Sequence, residues 1–342
     1  MSAVGAYYER AGLVEVGESE IIAPSAGQVR IEVDWCGVCG TDLHIYQGHM
    51  DGRFDGRRII GHEMSGRVVE LGAGVRDYDI GDPVVVRPLD ACGACPACQA
   101  GQGHICQQLN FIGIDSPGAF QYSWTVPADL LHRLPPDIAM DRAALIEPLA
   151  VACHDVRLGQ VVAGEKVVVI GGGPIGLLNA LVAQHAGAEV LLSEVSVSRL
   201  EKARQLGLAT INPQEENLEK RVGGWTEGAG ADVVFEVSGS LAGAEAMTRI
   251  AKVRGRIVIV AIFAQAPPVD LFQFFWRELQ LCGVRVYERE DYERAIELVS
   301  ELAVPLDSLI TSRRPLSALP EVFSELTSGG EEVKVLIDIR GE

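Results

Sequence analysis

The 342-residue chain has no apolar run approaching the length of a membrane span, and its opening MSAVGAYYERAGLV has no basic stretch leading into an apolar one. Neither a membrane anchor nor a secretory leader is expected, and a cytoplasmic location is. Positive charge is also scarce: 29 Lys and Arg against 47 Asp and Glu leave a net charge of −18. A surface that acidic repels nucleic acid and anionic lipid, so neither is an expected partner. A small ligand meets only a local field. There is no internal repeat and no low-complexity segment. What remains is a composition 48% hydrophobic and 22% charged, as in a globular protein, at a length too great for one ordinary core. Two domains follow.

Disulfides are not expected either, because the cytosol keeps thiols reduced, yet there are eight cysteines. Four of them, Cys92, Cys95, Cys98 and Cys106, lie in CGACPACQAGQGHIC with two, two and seven residues between them. Tetrahedral zinc takes four thiolates from so tight a loop. Bacterial ferredoxins share the first two spacings but close with three residues and a Pro, absent here. Four thiolates fill the shell of a zinc ion and leave no position for substrate. Metal in this loop would hold a lobe together, and the chemistry should lie elsewhere.

The texture of the chain changes near residue 150. Before it, QVRIEVDWCGVCG, SGRVVELGAGV and GDPVVVRPL read as short strands punctuated by Gly and Pro, a small β-rich domain with long loops. From about 160, the apolar strands KVVVI, EVLLSE, DVVFEV and GRIVIVAIF alternate with the helical stretches IGLLNALVAQHAG, SRLEKARQLG and AGAEAMTRIAKV. Strands apolar on both faces, separated by helices, make a doubly wound parallel α/β sheet. The tail adds helices at YERAIELV and ALPEVFSEL and a strand at KVLIDI, which would return to the first domain. The expected division is a catalytic domain at 1–150, completed by about 285–342, and a nucleotide-binding domain at 151–284. GRIVIVAIF and LQLCGV are candidate edge strands for pairing sheets between subunits.

VVVIGGGPIG places Gly171, Gly173 and Gly176 in G-x-G-x-x-G spacing, with Pro174 and Ile175 between the last two. The motif follows an apolar strand and opens a helix, the context that makes it a dinucleotide fingerprint. The first Gly makes the turn, the second admits the pyrophosphate and the third lets helix pack on strand. The phosphates meet the helix N-terminus. Glu194, at the end of the next strand, accepts from both ribose hydroxyls and repels a 2′-phosphate, favouring NAD over NADP. Arg199 can lie along the adenine or its ribose.

Two motifs precede the four-cysteine loop. CGVCGTDLH holds Cys36, Cys39, Thr41, Asp42 and His44, and GHEMSG holds His62 and Glu63; LIEPLAVACH later contributes Glu147. A thiolate, an imidazole and a carboxylate make a three-ligand zinc site with one open position. A C-x-x-C pair is equally the pattern of two buried thiols. Cys153, Cys282, His132 and His185 read as core or surface residues without a role.

The chain resembles the zinc-dependent medium-chain dehydrogenases, the alcohol and polyol dehydrogenase family, in GVCGTDLH, GHE, the four-cysteine loop, EPLAVA and GGGPIGLL, in family order. The resemblance implies a GroES-like catalytic domain, a Rossmann domain and two zinc ions per subunit. The catalytic zinc would sit on Cys39, His62 and Glu63, and the structural zinc on Cys92, Cys95, Cys98 and Cys106. Cys36 matches no family ligand. Thr41 would accept the alcohol proton and pass it on through His44, or through Glu147 and a water. Glu147 would stand beside the metal as an alternative ligand or water-binding base. The implied reaction is hydride transfer from a secondary alcohol, a polyol or vicinal diol, to NAD, in a homodimer or homotetramer. L-Threonine 3-dehydrogenase is the nearest alternative, since GVCGTDLHIY resembles that branch too. A zinc-thiolate redox sensor or NAD-binding regulator is the alternative of another class.

Overall fold

The computed structural model describes residues 3–54, 56–301, 305–330 and 332–341. It contains two compact units, one formed by residues up to 147 together with segments from 288 onward, the other built on 148–287. No helix among the described residues is long and apolar enough to cross a membrane.

The first unit is organised by the strand Gln28–Gly37. It pairs antiparallel with Glu63–Leu71 on one side and with the C-terminal strand Lys334–Asp338 on the other, and Ser123–Pro127 pairs along its first half. Alternation explains its burial: Val29, Ile31 and Val33 are each 0% exposed, while Arg30 and Glu32 between them are half-buried. The register matters for function. Gly37 lies opposite Glu63 in one pairing and opposite Leu336 in the other. Two residues later the chain turns at Cys39 into the helix Gly40–Tyr46. Glu63 and Lys334 are thereby delivered to the two flanks of the segment that carries Cys39.

The second unit is a six-stranded parallel sheet in the order Ala209–Ile211, Glu189–Ser193, Lys166–Ile170, Ala231–Glu236, Ala251–Ile259, Gln280–Gly283. That is the doubly wound dinucleotide-binding order, with its switch point between Lys166–Ile170 and Ala231–Glu236. Val167, Val168 and Val169 are all fully buried, because helices cover both faces.

Two readings of this sheet are corrected. AGAEAMTRIAKV is helical only to Ile250; from Ala251 the chain is strand, paired with Ala231. A register shift follows, and Arg254 sits at φ 58°, so the strand begins before the Gly255 that looked like its start. The strand containing GRIVIV is also not an edge. It lies between Ala231–Glu236 and Gln280–Gly283, and only the latter, within LQLCGV, ends that side of the sheet.

Candidate active site and metal centres

Cys39, His62 and Glu63 are brought together by that register. One donor atom from each lies within 4.8 Å of the others, with His62 and Glu63 buried and Cys39 half-buried. Asp42, one turn into the helix Gly40–Tyr46, supports two of them. Its Oδ2 accepts the Cys39 backbone N–H at 2.9 Å, and its Oδ1 faces His62 Nδ1 at 3.8 Å. Neither Asp42 Oδ1 nor His62 Nδ1 has a hydrogen-bond partner among the described residues, although both are buried. A closing of about 1 Å would make the carboxylate–imidazole bond that commonly orients a metal-bound histidine. Phe111 packs edge-on against the imidazole, with ring centroids 5.3 Å apart.

The electrostatics of this pocket suit a cation. Burial disfavours a charged His62, but Asp42, Cys39 and Glu147 outweigh it and hold its pKa well above the ordinary value. Burial pushes the Asp42 carboxyl up to about 6, against the pull of His62. A pocket so rich in anionic groups draws in a proton, and a metal ion must displace that proton to bind. Thiolate, imidazole and carboxylate in a largely buried triangle fit zinc with a position left open.

Thr41 is half-buried on the helix that Cys39 precedes, and His44, three residues on, is exposed. His44 Nδ1 lies 3.3 Å from His49 Nδ1, so two exposed imidazoles stand side by side. Glu147 is 5% exposed in the first turn of the helix Ile146–Leu158. It lies outside the 4.8 Å donor set but close enough to raise the pKa of His62 and of Lys334.

The four-cysteine loop forms a second donor set, again with all four sulfurs within 4.8 Å. Cys95 Sγ is 3.5 Å from Cys98 Sγ and 3.8 Å from Cys106 Sγ, and Cys92 to Cys98 is 4.0 Å. Tetrahedral zinc with Zn–S of about 2.3 Å requires sulfurs about 3.8 Å apart. Backbone amides already point at the sulfurs: Cys95 N at Cys92, Gln107 N at Cys95 and Gln108 N at Cys106, at 3.3 to 3.5 Å. Amide donation lowers the Cys95 thiol to about 6.

In the second unit, Gly171 has φ 106°, and a Cβ there would fall 2.9 Å from Ser238 N. A Cβ on Gly176 would lie 1.9 Å from the Gly171 carbonyl oxygen, whereas one on Gly173, which caps the helix Pro174–His185, would meet nothing within 4 Å. Two glycines therefore serve close packing, and the third leaves open space where pyrophosphate would approach. Pro174 and Ile175 form the first turn of that helix. Glu194 is 6% exposed; its Oε2 accepts Gly172 N at 2.7 Å, and its Oε1 accepts Val195 N and Ser196 N. Arg199 pairs with Glu194 at 3.8 Å.

Residues 25–136 match the alcohol dehydrogenase GroES-like domain family, and residues 174–301 match the zinc-binding dehydrogenase family. The chain is 52% identical, over 96% of its own length and 96% of the relative, to the 2-dehydro-3-deoxy-L-galactonate 5-dehydrogenase of Pseudoalteromonas atlantica. It belongs to the zinc-dependent medium-chain alcohol dehydrogenases. The L-galactonate-5-dehydrogenase of Escherichia coli is 31% identical over 94% of each chain. The crystal structure of 2R,3R-butanediol dehydrogenase from Bacillus subtilis has the same fold, with a TM-score of 0.91, 31% identity, and coverage of 98% of this chain and 99% of that one. The chain is therefore a zinc-containing oxidoreductase acting on the CH–OH group of secondary alcohols, which sets aside the sensor and regulator reading.

Three residues beside the candidate sites have no role assigned from the sequence: Asp42, His49 and Gly172. Asp42 was visible inside CGVCGTDLH, but only as a neighbour; its place three residues after Cys39 is the spacing at which a carboxylate returns to a helix N-terminus. His49 gave no signal beyond its nearness to His44. Gly172, in the middle of GGG, sits so close to Glu194 that a Cβ would fall 3.0 Å from its Cγ.

Proposed function

We propose that this dehydrogenase oxidises the C5 hydroxyl of a 2-oxo-3-deoxy sugar acid with NAD as acceptor. The observation that carries the reading is the buried donor set in which a carboxylate, Glu63, stands beside one thiolate and one imidazole. A carboxylate ligand makes the metal harder and more tolerant of oxygen donors than a second thiolate would. Such a site suits a hydroxyl flanked by further oxygens, as C5 is flanked by the C4 and C6 hydroxyls in the substrate named for the Pseudoalteromonas atlantica relative. The polyol reading thus narrows to a polyhydroxy acid.

Cys39, His62 and Glu63 would hold the catalytic zinc, and Cys92, Cys95, Cys98 and Cys106 the structural one. When bound, the catalytic zinc supplies Lewis acidity that lowers the pKa of the substrate hydroxyl. Thr41 accepts that proton while giving up its own hydroxyl proton, which His44 and His49 pass to solvent. Asp42 orients His62. Glu147, buried beside the donor set, holds a water. Gly171, Gly173, Pro174, Ile175 and Gly176 would receive the pyrophosphate, and Glu194, steadied by Arg199 and the Gly172 amide, the ribose hydroxyls.

We also infer a cytoplasmic homo-oligomer. Among the described residues the strand Gln280–Gly283 ends its sheet, with Leu281 half exposed, and the adjoining helix Leu271–Arg277 exposes Phe272, Phe275 and Trp276. An edge strand of one copy is complementary to the same strand of a second, related by a twofold axis. Light scattering of wild type against Leu281→Asp tests this.

The substrate claim is tested by initial rates of NADH formation with 2-dehydro-3-deoxy-L-galactonate, L-galactonate, sorbitol, 2,3-butanediol, 2-butanol and L-threonine. The expected result is a kcat/KM for a sugar acid at least roughly tenfold above 2-butanol, because polar partners left unpaired penalise the simpler alcohol. Equal rates with 2-butanol would remove the reading, and L-threonine leading the panel would move the enzyme to that branch.

A further inference from the structure

A buried lysine that takes no part in the proton relay stands against the donor set. Lys334 is 4% exposed, at the start of the C-terminal strand, and forms an ion pair with Glu63 Oε2. Its Nζ also donates to the Val38 carbonyl oxygen at 3.0 Å. The two side chains meet beside Gly37, where a Cβ would fall 2.3 Å from Glu63 Oε2 and 3.1 Å from Lys334 Cε. The strand registers already described put Glu63 on one flank of Gly37 and the Lys334 strand on the other, and glycine leaves the gap across which they meet.

A buried ammonium is costly unless it is paired. Here its partner is a residue assigned to the metal. One carboxylate therefore faces two cations, an ammonium fixed by the fold and a metal ion.

We propose that Lys334 is a positioning residue that competes with the metal for Glu63 and so keeps that ligand exchangeable. This rests on the assignment of zinc to Cys39, His62 and Glu63. With Lys334 holding Oε2, Glu63 can leave the metal without becoming an unpaired buried anion. A coordination position is then released for substrate oxygen at small cost and closed again afterwards. A lysine serving only as a structural counter-ion would behave oppositely: its loss would loosen the site and the zinc with it.

The test is zinc affinity, measured by competition with a chromophoric chelator, for wild type, Lys334→Met, Lys334→Gln and Lys334→Arg. Removing the competing charge leaves Glu63 wholly to the metal, so the Met and Gln variants bind zinc at least about tenfold more tightly, and Arg, which keeps the charge, binds as wild type does. Metal-free Lys334→Met should also be less stable than metal-free wild type, and gain more from added zinc. Unchanged or weaker zinc affinity in the neutral variants overturns the proposal.

A second measurement needs no substitution at Lys334. With cobalt in the Cys39 site, the wild-type visible spectrum should contain two components, one coinciding with that of Glu63→Gln, in a ratio that changes with temperature. A single component insensitive to temperature would also overturn it. If Cys39→Ser binds as much metal as wild type, it is the zinc assignment that has failed and not the role of Lys334.

Discussion

Asp42 Oδ1 and His62 Nδ1 face each other at 3.8 Å, both buried and neither otherwise hydrogen-bonded among the described residues. The same carboxylate accepts the Cys39 amide at 2.9 Å, so one side chain touches two of the three residues proposed to hold the metal. Asp42→Ala should lower both zinc occupancy and kcat, by roughly 10- to 100-fold as for other carboxylates that orient a metal-bound histidine. Metal content and turnover measured on the same preparation check this. Full zinc occupancy with kcat within about twofold of wild type would show that His62 is oriented by something else.

Glu194 makes the cofactor prediction. Its oxygens accept three backbone amides, which fix the carboxylate at the end of its strand. A fixed anion there repels a 2′-phosphate and binds ribose hydroxyls. Wild type should prefer NAD to NADP in kcat/KM, and Glu194→Ala should narrow the gap mainly by raising KM for NAD. A wild-type preference for NADP contradicts the assignment.

Much of this was legible in the chain because it is local. The four cysteines lie within one loop, and the glycine fingerprint lies between a strand and the helix it opens, so spacing alone predicts that each set gathers as it does. The Rossmann strands were legible because burial on both faces leaves them uniformly apolar. What the sequence hides is register. Nothing near Lys334 points to Glu63; two antiparallel pairings with one strand, centred on Gly37, bring them together. The helix end at Ile250 was hidden for a related reason, because a bulge at Arg254 let the strand start before its glycine. Asp42 stands in the sequence beside Cys39, but its approach to His62 depends on the pairing of Gln28–Gly37 with Glu63–Leu71.

The four-cysteine loop predicts a division of labour. Cys95→Ser should reduce zinc from two ions per chain to one and lower the melting temperature, while the fraction that stays folded keeps its chemical step, because a closed thiolate shell offers no position to substrate. Single-turnover rates with calorimetry separate the two effects. Abolished turnover at unchanged stability would contradict a purely structural role.

His132 gives a pH dependence. It is 5% exposed, its ring lies 4.8 Å from that of Tyr292, and burial, reinforced by Arg289 and Arg87, lowers its pKa to about 3. The unfolded chain, with an ordinary histidine near 6.5, binds the proton first as pH falls. The contribution of neutral His132 is therefore complete above about pH 6.5 and is lost between there and about pH 3, at up to about 1.4 kcal/mol per pH unit. His132→Phe keeps a ring beside Tyr292 without the titration. Urea unfolding at pH 7.5, 6 and 5 should show wild type losing stability faster than the variant. Parallel curves would show that His132 is not held neutral.

The account turns on where the metal sits. Anomalous diffraction at the zinc edge, on crystals of the zinc-loaded enzyme, tests that directly. It should show two peaks per chain, one enclosed by Cys92, Cys95, Cys98 and Cys106 and one bounded by Cys39, His62 and Glu63. A single peak at the cysteine loop, or a second peak away from those three residues, would contradict it.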